Sequence, residues 1–306
     1  MSSFHLYKKR DFGTYISDTS DFFKKFWKNY FKNFVVINGA MMLILCLIYY
    51  FIFKDTFSST FSGRGITPQF LYDENIGIFI VLISVAMLVA VVFSLFLIAF
   101  PIAYLQLIDK TDRDNFTSSE IFNQIKPLLG RIFLFGLISL LILVPIALVT
   151  AAVASALILI IIGIPILVIS MGILMVWYMQ SLFVYLNEDK GYFEALKAGW
   201  QILFGRFWPI VGSTLIITLA VYILSTIVTF IPSMMTIGSI FSTGTEPDIS
   251  KVMPAMSIVY VLNILLSYLL YNLIYVNQGL IYYGSKEETE HISAFSEIDN
   301  IGKNAE

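Results

Sequence analysis

The sequence is poor in the groups that carry most protein chemistry. Its 306 residues include one cysteine and two histidines. A single thiol, Cys46, excludes an intrachain disulfide framework. His5 and His291 stand far apart in the chain and offer no metal-ligand spacing. Charge is scarce as well: Asp, Glu, Lys and Arg supply 13% of the residues against 58% hydrophobic, about half the charged share of a soluble domain. Five stretches contain no charge at all, namely 33–53, 75–108, 132–187, 207–245 and 252–285. Proton- and ion-coupled transporters place titratable groups inside the membrane, so these empty stretches argue against that class. No phosphate-binding glycine loop and no nucleophile motif occurs, and no acid and base are gathered with one. The expectation is a protein with no enzymatic activity, no cofactor and no metal, and nothing in it points to nucleic acid.

What is present is length and apolarity. A helix crosses a bilayer with about 20 apolar residues, and all five stretches exceed that. The third holds 56 residues, enough to fold back on itself and cross twice. Six transmembrane helices follow, expected at about 34–53, 76–108, 132–154, 160–186, 208–231 and 256–283. The turn inside the third stretch is uncharged and is followed by Gly163-Ile-Pro165. It is either a hairpin in the membrane interface or a broken helix lining a cavity. Pro101 is expected to kink its helix, Pro127 to bend or shorten its own, and Pro232 to end the fifth span. Ala86, Ala90 and Ser94 recur every four residues as a strip for close packing.

Three of the spans are preceded by an amphipathic segment. In residues 1–33 the run Phe22, Phe23, Phe26, Trp27, Tyr30 and Phe31 covers one half of a helical wheel. Lys24, Lys25, Lys28 and Lys32 cover the other half. That separation is what a helix lying among lipid headgroups requires; the other reading is a helix packed on protein. Ser17 or Asp18 is its expected cap. A second such helix is expected at about 118–131, opened by the capping box Thr117-Ser-Ser-Glu120. The third, at about 190–207, reads Glu194-Ala-Leu-Lys-Ala-Gly-Trp200-Gln-Ile-Leu-Phe-Gly-Arg206-Phe-Trp208-Pro209 and runs into the next span. Trp27 and Trp200 each stand twelve residues before a glycine, Gly39 and Gly212. The fold class is therefore an all-α integral membrane protein whose six spans form three parallel repeats of cytoplasmic amphipathic helix plus two spans. Phe23, Lys24, Lys25, Trp27, Lys28, Lys32, Trp200, Arg206 and Trp208 are the expected membrane-interface residues.

Of the 19 Lys and Arg residues, 16 fall on one side of this topology, and only Lys54, Arg64 and Lys251 on the other. By the positive-inside rule both termini are cytoplasmic. The lead-in is read as lacking a cleavable signal peptide, the six-span domain as 34–286, and 287–306 as an acidic cytoplasmic tail. That tail is too polar to form a core and is expected to be a flexible end or a docking peptide.

The polar groups left in the spans are amides, hydroxyls and phenols. Tyr268, Tyr271, Tyr275, Gln278 and Tyr282 recur along one face of the last span, with Asn272 beside them. They either hydrogen-bond between helices or line a wet face that receives a partner helix or a lipid. The expected partners are the bilayer, with anionic lipid at its cytoplasmic face, and another membrane protein.

The segment Ala195-Leu-Lys-Ala-Gly-Trp200, continued by Gly205-Arg206-Phe-Trp-Pro209, resembles a motif of bacterial six-span proteins. These are related to the membrane domain that accompanies some glycerophosphodiester phosphodiesterases. The resemblance covers about 40 residues and implies a multi-pass protein of the bacterial cytoplasmic membrane. The soluble barrel of those enzymes, with its metal-binding carboxylates and histidines, has no counterpart in this sequence, so the enzymatic part of the resemblance does not carry over. Two roles remain as expectations. One is a non-catalytic membrane subunit or assembly factor that packs against another membrane protein. The alternative is a carrier or flippase for an uncharged or lipid-like molecule.

Overall fold

A computed structural model describes residues 4–59, 76–111, 113–157, 163–243 and 249–292. They form seven helices: α1 (Phe12–Ser59), α2 (Ile76–Thr111), α3 (Ser118–Leu157), α4 (Gly163–Asn187), α5 (Tyr192–Gly205), α6 (Phe207–Thr243) and α7 (Ile249–Glu290). No strand occurs among the described residues. Six helices, all but α5, are long and apolar enough to cross a membrane. The chain is a multi-pass, all-α membrane protein.

The helices are longer than their apolar cores. α1 has 48 residues, roughly 72 Å at 1.5 Å per residue, more than twice the roughly 30 Å hydrocarbon thickness. The amphipathic segment at its start is thus the first half of the same helix rather than a separate one. The second segment is likewise continuous with α3. Only α5 stands alone, ended at Arg206, whose backbone (φ −142°, ψ 62°) is not helical. The cap of α1 is also earlier than expected. Asp11 Oδ1 accepts from the Thr14 amide at 2.8 Å, and Thr14 Oγ1 accepts from the Asp11 amide at 2.6 Å. Asp18, about two turns further on, is engaged by Arg10 instead. The Thr117 box does close as expected, with Thr117 N–H donating to Glu120 at 2.8 Å and Glu120 N–H to Thr117 Oγ1 at 3.3 Å.

The proline expected to end the fifth span does not do so. Pro101 lies within α2, and Pro127 and Pro145 within α3; α6 continues through Pro232 to Thr243. A proline removes one backbone bond, and in a bundle neighbouring groups can satisfy the freed carbonyl. Pro165 falls in the first turn of α4, where its missing N–H has no helical partner to lose. α3 and α4 pack against each other; residues 158–162, and with them the turn, lie outside the described residues. The acidic tail is helical in its first part: Glu287, Glu288 and Glu290 belong to the last turns of α7, and Glu287 is buried. The remainder, 293–306, lies outside the described residues.

The chain divides into two units. The first takes in Met1–Asn33, Ile98–Thr218 and Leu273–Glu306; the second, Phe34–Leu97 and Leu219–Asn272. In the first, the aromatic face of α1 is buried. Phe22, Phe26 and Tyr30 pack against Phe4, Phe100 and Tyr104 with ring centroids 4.9–6.1 Å apart. Most of those rings meet edge to face, the arrangement the ring quadrupole favours. A second core joins Tyr15, Val176, Leu203, Ile210, Val211 and Ile281. α5 seats on α4 at Gly199, where a Cβ would stand 2.2 Å from Ser181 Oγ and 2.6 Å from its backbone nitrogen. Only glycine permits that approach.

In the second unit Phe93 meets Tyr268 edge to face at 4.7 Å. Asn263 donates to the Ser225 carbonyl at 2.7 Å. Of the small-residue strip on α2, Ala86 is buried and Ser94 is exposed.

Candidate functional site

Several charged residues of the first unit gather where the N-terminal segment, the α4–α5 turn, the α5–α6 break and the end of α7 meet. Arg10 is the centre of this region, with a fully buried side chain. Its Nε donates to Asp18 at 2.8 Å, Nη1 to the carbonyls of Leu6 at 2.8 Å and Leu280 at 3.4 Å, and Nη2 to that of His5 at 2.8 Å. Burial lowers the Arg10 pKa, and the Asp18 carboxylate opposes that loss of charge. Arg206 continues the cluster by donating from Nη1 to the Arg10 carbonyl at 2.6 Å and to Glu288. One guanidinium therefore ties the break before α6 to the N-terminal segment and to the last turns of α7.

Glu188 forms a second centre at the end of α4. It accepts from the Tyr282 hydroxyl at 2.9 Å and pairs with Lys190 at 2.8 Å and Lys286 at 3.5 Å. Burial acts to raise its pKa, but the Lys190 and Tyr282 hydrogen bonds and the Lys286 charge outweigh it, and the carboxyl lies below its ordinary value. Two clefts flank Lys286. The larger, about 260 Å³, lies between α5 and α7 and is lined by Gln201, Gly205, Arg206, Glu188, Lys190 and Glu290 among others. The smaller, about 220 Å³, is lined by Tyr7, Gln106, Asp109, Asn187 and Tyr283. Tyr7 donates to Asp109 at 3.2 Å, and its own pKa is raised, first by burial and then by that carboxylate.

Between the helices runs a chain of uncharged polar groups. Gln180 on α4 donates to Gln278 Oε1 at 3.0 Å, and Gln278 donates to Thr214 on α6 at 2.8 Å. Asn277 donates to Thr19 on α1 at 3.2 Å. All five side chains are buried. Gln180 Oε1 is left with no partner, as is Thr218 Oγ1 one turn beyond Thr214.

The tyrosine face expected on the last span has several different surroundings. Gln278 and Tyr282 are buried in the first unit and engaged as described. Tyr268 packs on Phe93, and Asn272 is buried and donates to the Tyr268 carbonyl at 3.0 Å. Tyr275 is half-buried, and Tyr271 is exposed. The buried members of the face have protein neighbours, and Tyr271 is the one that is exposed.

The expected interface residues also separate. Trp27, Lys24, Lys28 and Lys32 are exposed, while Phe23 is half-buried and stacks on Phe31 at 5.6 Å. Lys25 pairs with Asp114 at 2.7 Å. Trp200 and Trp208 are exposed, and Arg206 is held in the clasp just described. No family model, no curated protein and no solved structure matches the chain.

Sequence reasoning passed over Arg10, Glu188, Gln180 and Thr214, and took Asp18 for a helix cap. Arg10 and Asp18 are eight residues apart and look like ordinary surface charges until the N-terminal segment folds back onto α7. Gln180 did carry a signal: an amide well inside a long uncharged stretch needs a partner in lipid. Chemically, the arrangement holds helices at fixed positions. Among the described residues no group of three or more His, Cys, Asp and Glu is placed to hold a metal ion.

Proposed function

We propose that this protein is a multi-pass component of a bacterial cytoplasmic membrane, both termini cytoplasmic, that acts by contact with another membrane protein rather than by turnover. The observation that carries the reading is the use made of its polar groups. The Gln180–Gln278–Thr214 chain and the Asn277–Thr19 bond join helices to one another. Arg10, Arg206 and Glu188 do the same at the helix ends. A catalyst for polar chemistry needs an acid, a base and a nucleophile within reach of a substrate; a subunit that packs on a partner needs apolar and small-residue surface. The orientation rests on the 16 of 19 basic residues that lie on one side, and the bacterial assignment on the α5 motif.

The carrier reading has one observation in its favour. Gln180 Oε1 and Thr218 Oγ1 are buried and have no protein partner, and a bound polar solute is one way such a group is satisfied. Gentle solubilisation of the full chain from its native membrane, followed by identification of what co-purifies in fixed ratio, tests the contact reading. The pure protein in liposomes tests the alternative. Saturable movement of a lipid or a small neutral solute that is lost in Gln180→Leu would replace contact by transport. Labelling of single cysteines from Ser59→Cys and Ser119→Cys in a Cys46→Ala background tests the orientation. Ser119→Cys should react only from the cytoplasmic side, and reaction from outside overturns the topology.

A further inference from the structure

Of the three segments whose sequence suits a membrane surface, one leaves most of its aromatic face exposed, although Trp200 meets Trp177 edge to face at 5.1 Å. The first, in α1, buries Phe22, Phe26 and Tyr30. The second, in α3, buries Ile121, Ile125, Leu128 and Ile132. α5 is built differently. At 100° per residue its buried Ala195, Leu196, Gly199 and Leu203 occupy one side, and Ala198, Gln201 and Gly205 line the larger cleft on another. Phe193, Trp200 and Phe204 fall within roughly 40° of arc on a third side and are 72%, 45% and 48% exposed.

That third side does not end at the break. Trp200 meets Phe204 at 4.4 Å, Phe204 stacks on Phe207 at 5.5 Å, and Phe207 meets Trp208 at 5.1 Å. The rings thus run without interruption from α5 into the first turn of α6. Trp208, 70% exposed, stands in the first turn of α6, a helix long and apolar enough to cross a membrane. Among the described residues the indole N–H groups of Trp200 and Trp208 have no acceptor, whereas the indole of Trp177 donates to the Leu196 carbonyl at 2.9 Å. A flat apolar ring carrying one unsatisfied donor suits the level where acyl chains give way to headgroups.

We infer that α5 is a membrane-surface helix, with Phe193, Trp200, Phe204 and Trp208 sunk at the boundary between headgroups and acyl chains of the leaflet that α6 enters. Its occupant is lipid, because the ridge runs directly into the first turn of a membrane-crossing helix. Lys197, exposed beside the ridge, supplies a cation at headgroup level. Arg206, tied to the Arg10 carbonyl and Glu288, sets the angle between α5 and α6 that lets one helix lie flat while the next crosses. The inference rests on the multi-pass reading but not on the contact role.

The test uses the full chain with Trp27→Phe and Trp177→Phe, which leaves Trp200 and Trp208 as the only two of its four tryptophans. It is reconstituted in vesicles of phosphatidylethanolamine and phosphatidylglycerol carrying bromine either high or deep on the acyl chain. The expected result is strong loss of emission with the shallow label, weaker loss with the deep one, and little loss with aqueous iodide. Adding Arg206→Ala should reduce the shallow quenching and raise that by iodide, while Lys28→Ala changes neither. Quenching by iodide with neither bromine label active would place the ridge in water. Quenching by none of the three would place it under protein, such as a second copy. Either result overturns the inference. A chain that co-purifies with no partner yet shows the shallow pattern keeps the lipid surface and loses only the contact role.

Discussion

Replacing Arg10 by methionine removes the donor at the centre of the N-terminal clasp while keeping an unbranched apolar stem. The lost bonds are to Asp18 and to the carbonyls of His5, Leu6, Lys8 and Leu280. The Asp18 side chain is only 13% exposed, so its carboxylate cannot simply return to water. Deleting one partner of a buried pair costs about 3–5 kcal/mol. Lys8 remains 3.1 Å from Asp18, which places the expected loss at the lower end, about 3 kcal/mol. Lys8→Ala is the matched control. Its side chain is 48% exposed, and an exposed pair is worth about 0–1 kcal/mol. Arg10→Met with Asp18→Leu removes the stranded charge and should recover at least about 1 kcal/mol of the loss. SDS unfolding of the purified protein, followed by circular dichroism, reads all three. Limited proteolysis of the N-terminal segment gives a local readout. If Arg10→Met costs no more than Lys8→Ala, the guanidinium is not holding the segment and the clasp is wrong.

Two further outcomes follow from close contacts and charge. Gly199→Ala should displace α5 from α4 and destabilise the protein by about 1–3 kcal/mol, since the added Cβ meets Ser181 backbone; Gly205→Ala, with nothing within 4 Å, should be tolerated, and equal melting temperatures for the two would refute the close approach. Glu188 has a folded pKa below its ordinary 4.5, so its stabilising effect is full above that value and is lost as pH falls through the folded one. Glu188→Gln should therefore be less stable than the parent at neutral pH, with the difference closing on acidification. A difference that stays constant down to the acid limb would show that the carboxylate charge is not what Lys190, Lys286 and Tyr282 hold.

The sequence by itself determined the fold class and the number of crossings. Charge-free length is a local property, and a bilayer admits helices almost alone as the answer to it. The Thr117–Glu120 cap was legible for the same reason, because its partners are three residues apart. What only the tertiary structure decided is which aromatic faces meet protein and which stay exposed. The wheels of α1 and α5 look alike in sequence. Phe22, Phe26 and Tyr30 are nonetheless covered by Phe4, Phe100 and Tyr104 from elsewhere in the chain, and Phe193, Trp200 and Phe204 stay exposed. Periodicity gives the direction a face points on its own helix, and the neighbour it points toward comes from chain-distant packing. The polar face of the last span divided for that reason too. Gln278 and Tyr282 found Gln180, Thr214 and Glu188, residues 64 to 98 positions away, and no spacing rule within one helix can reach so far.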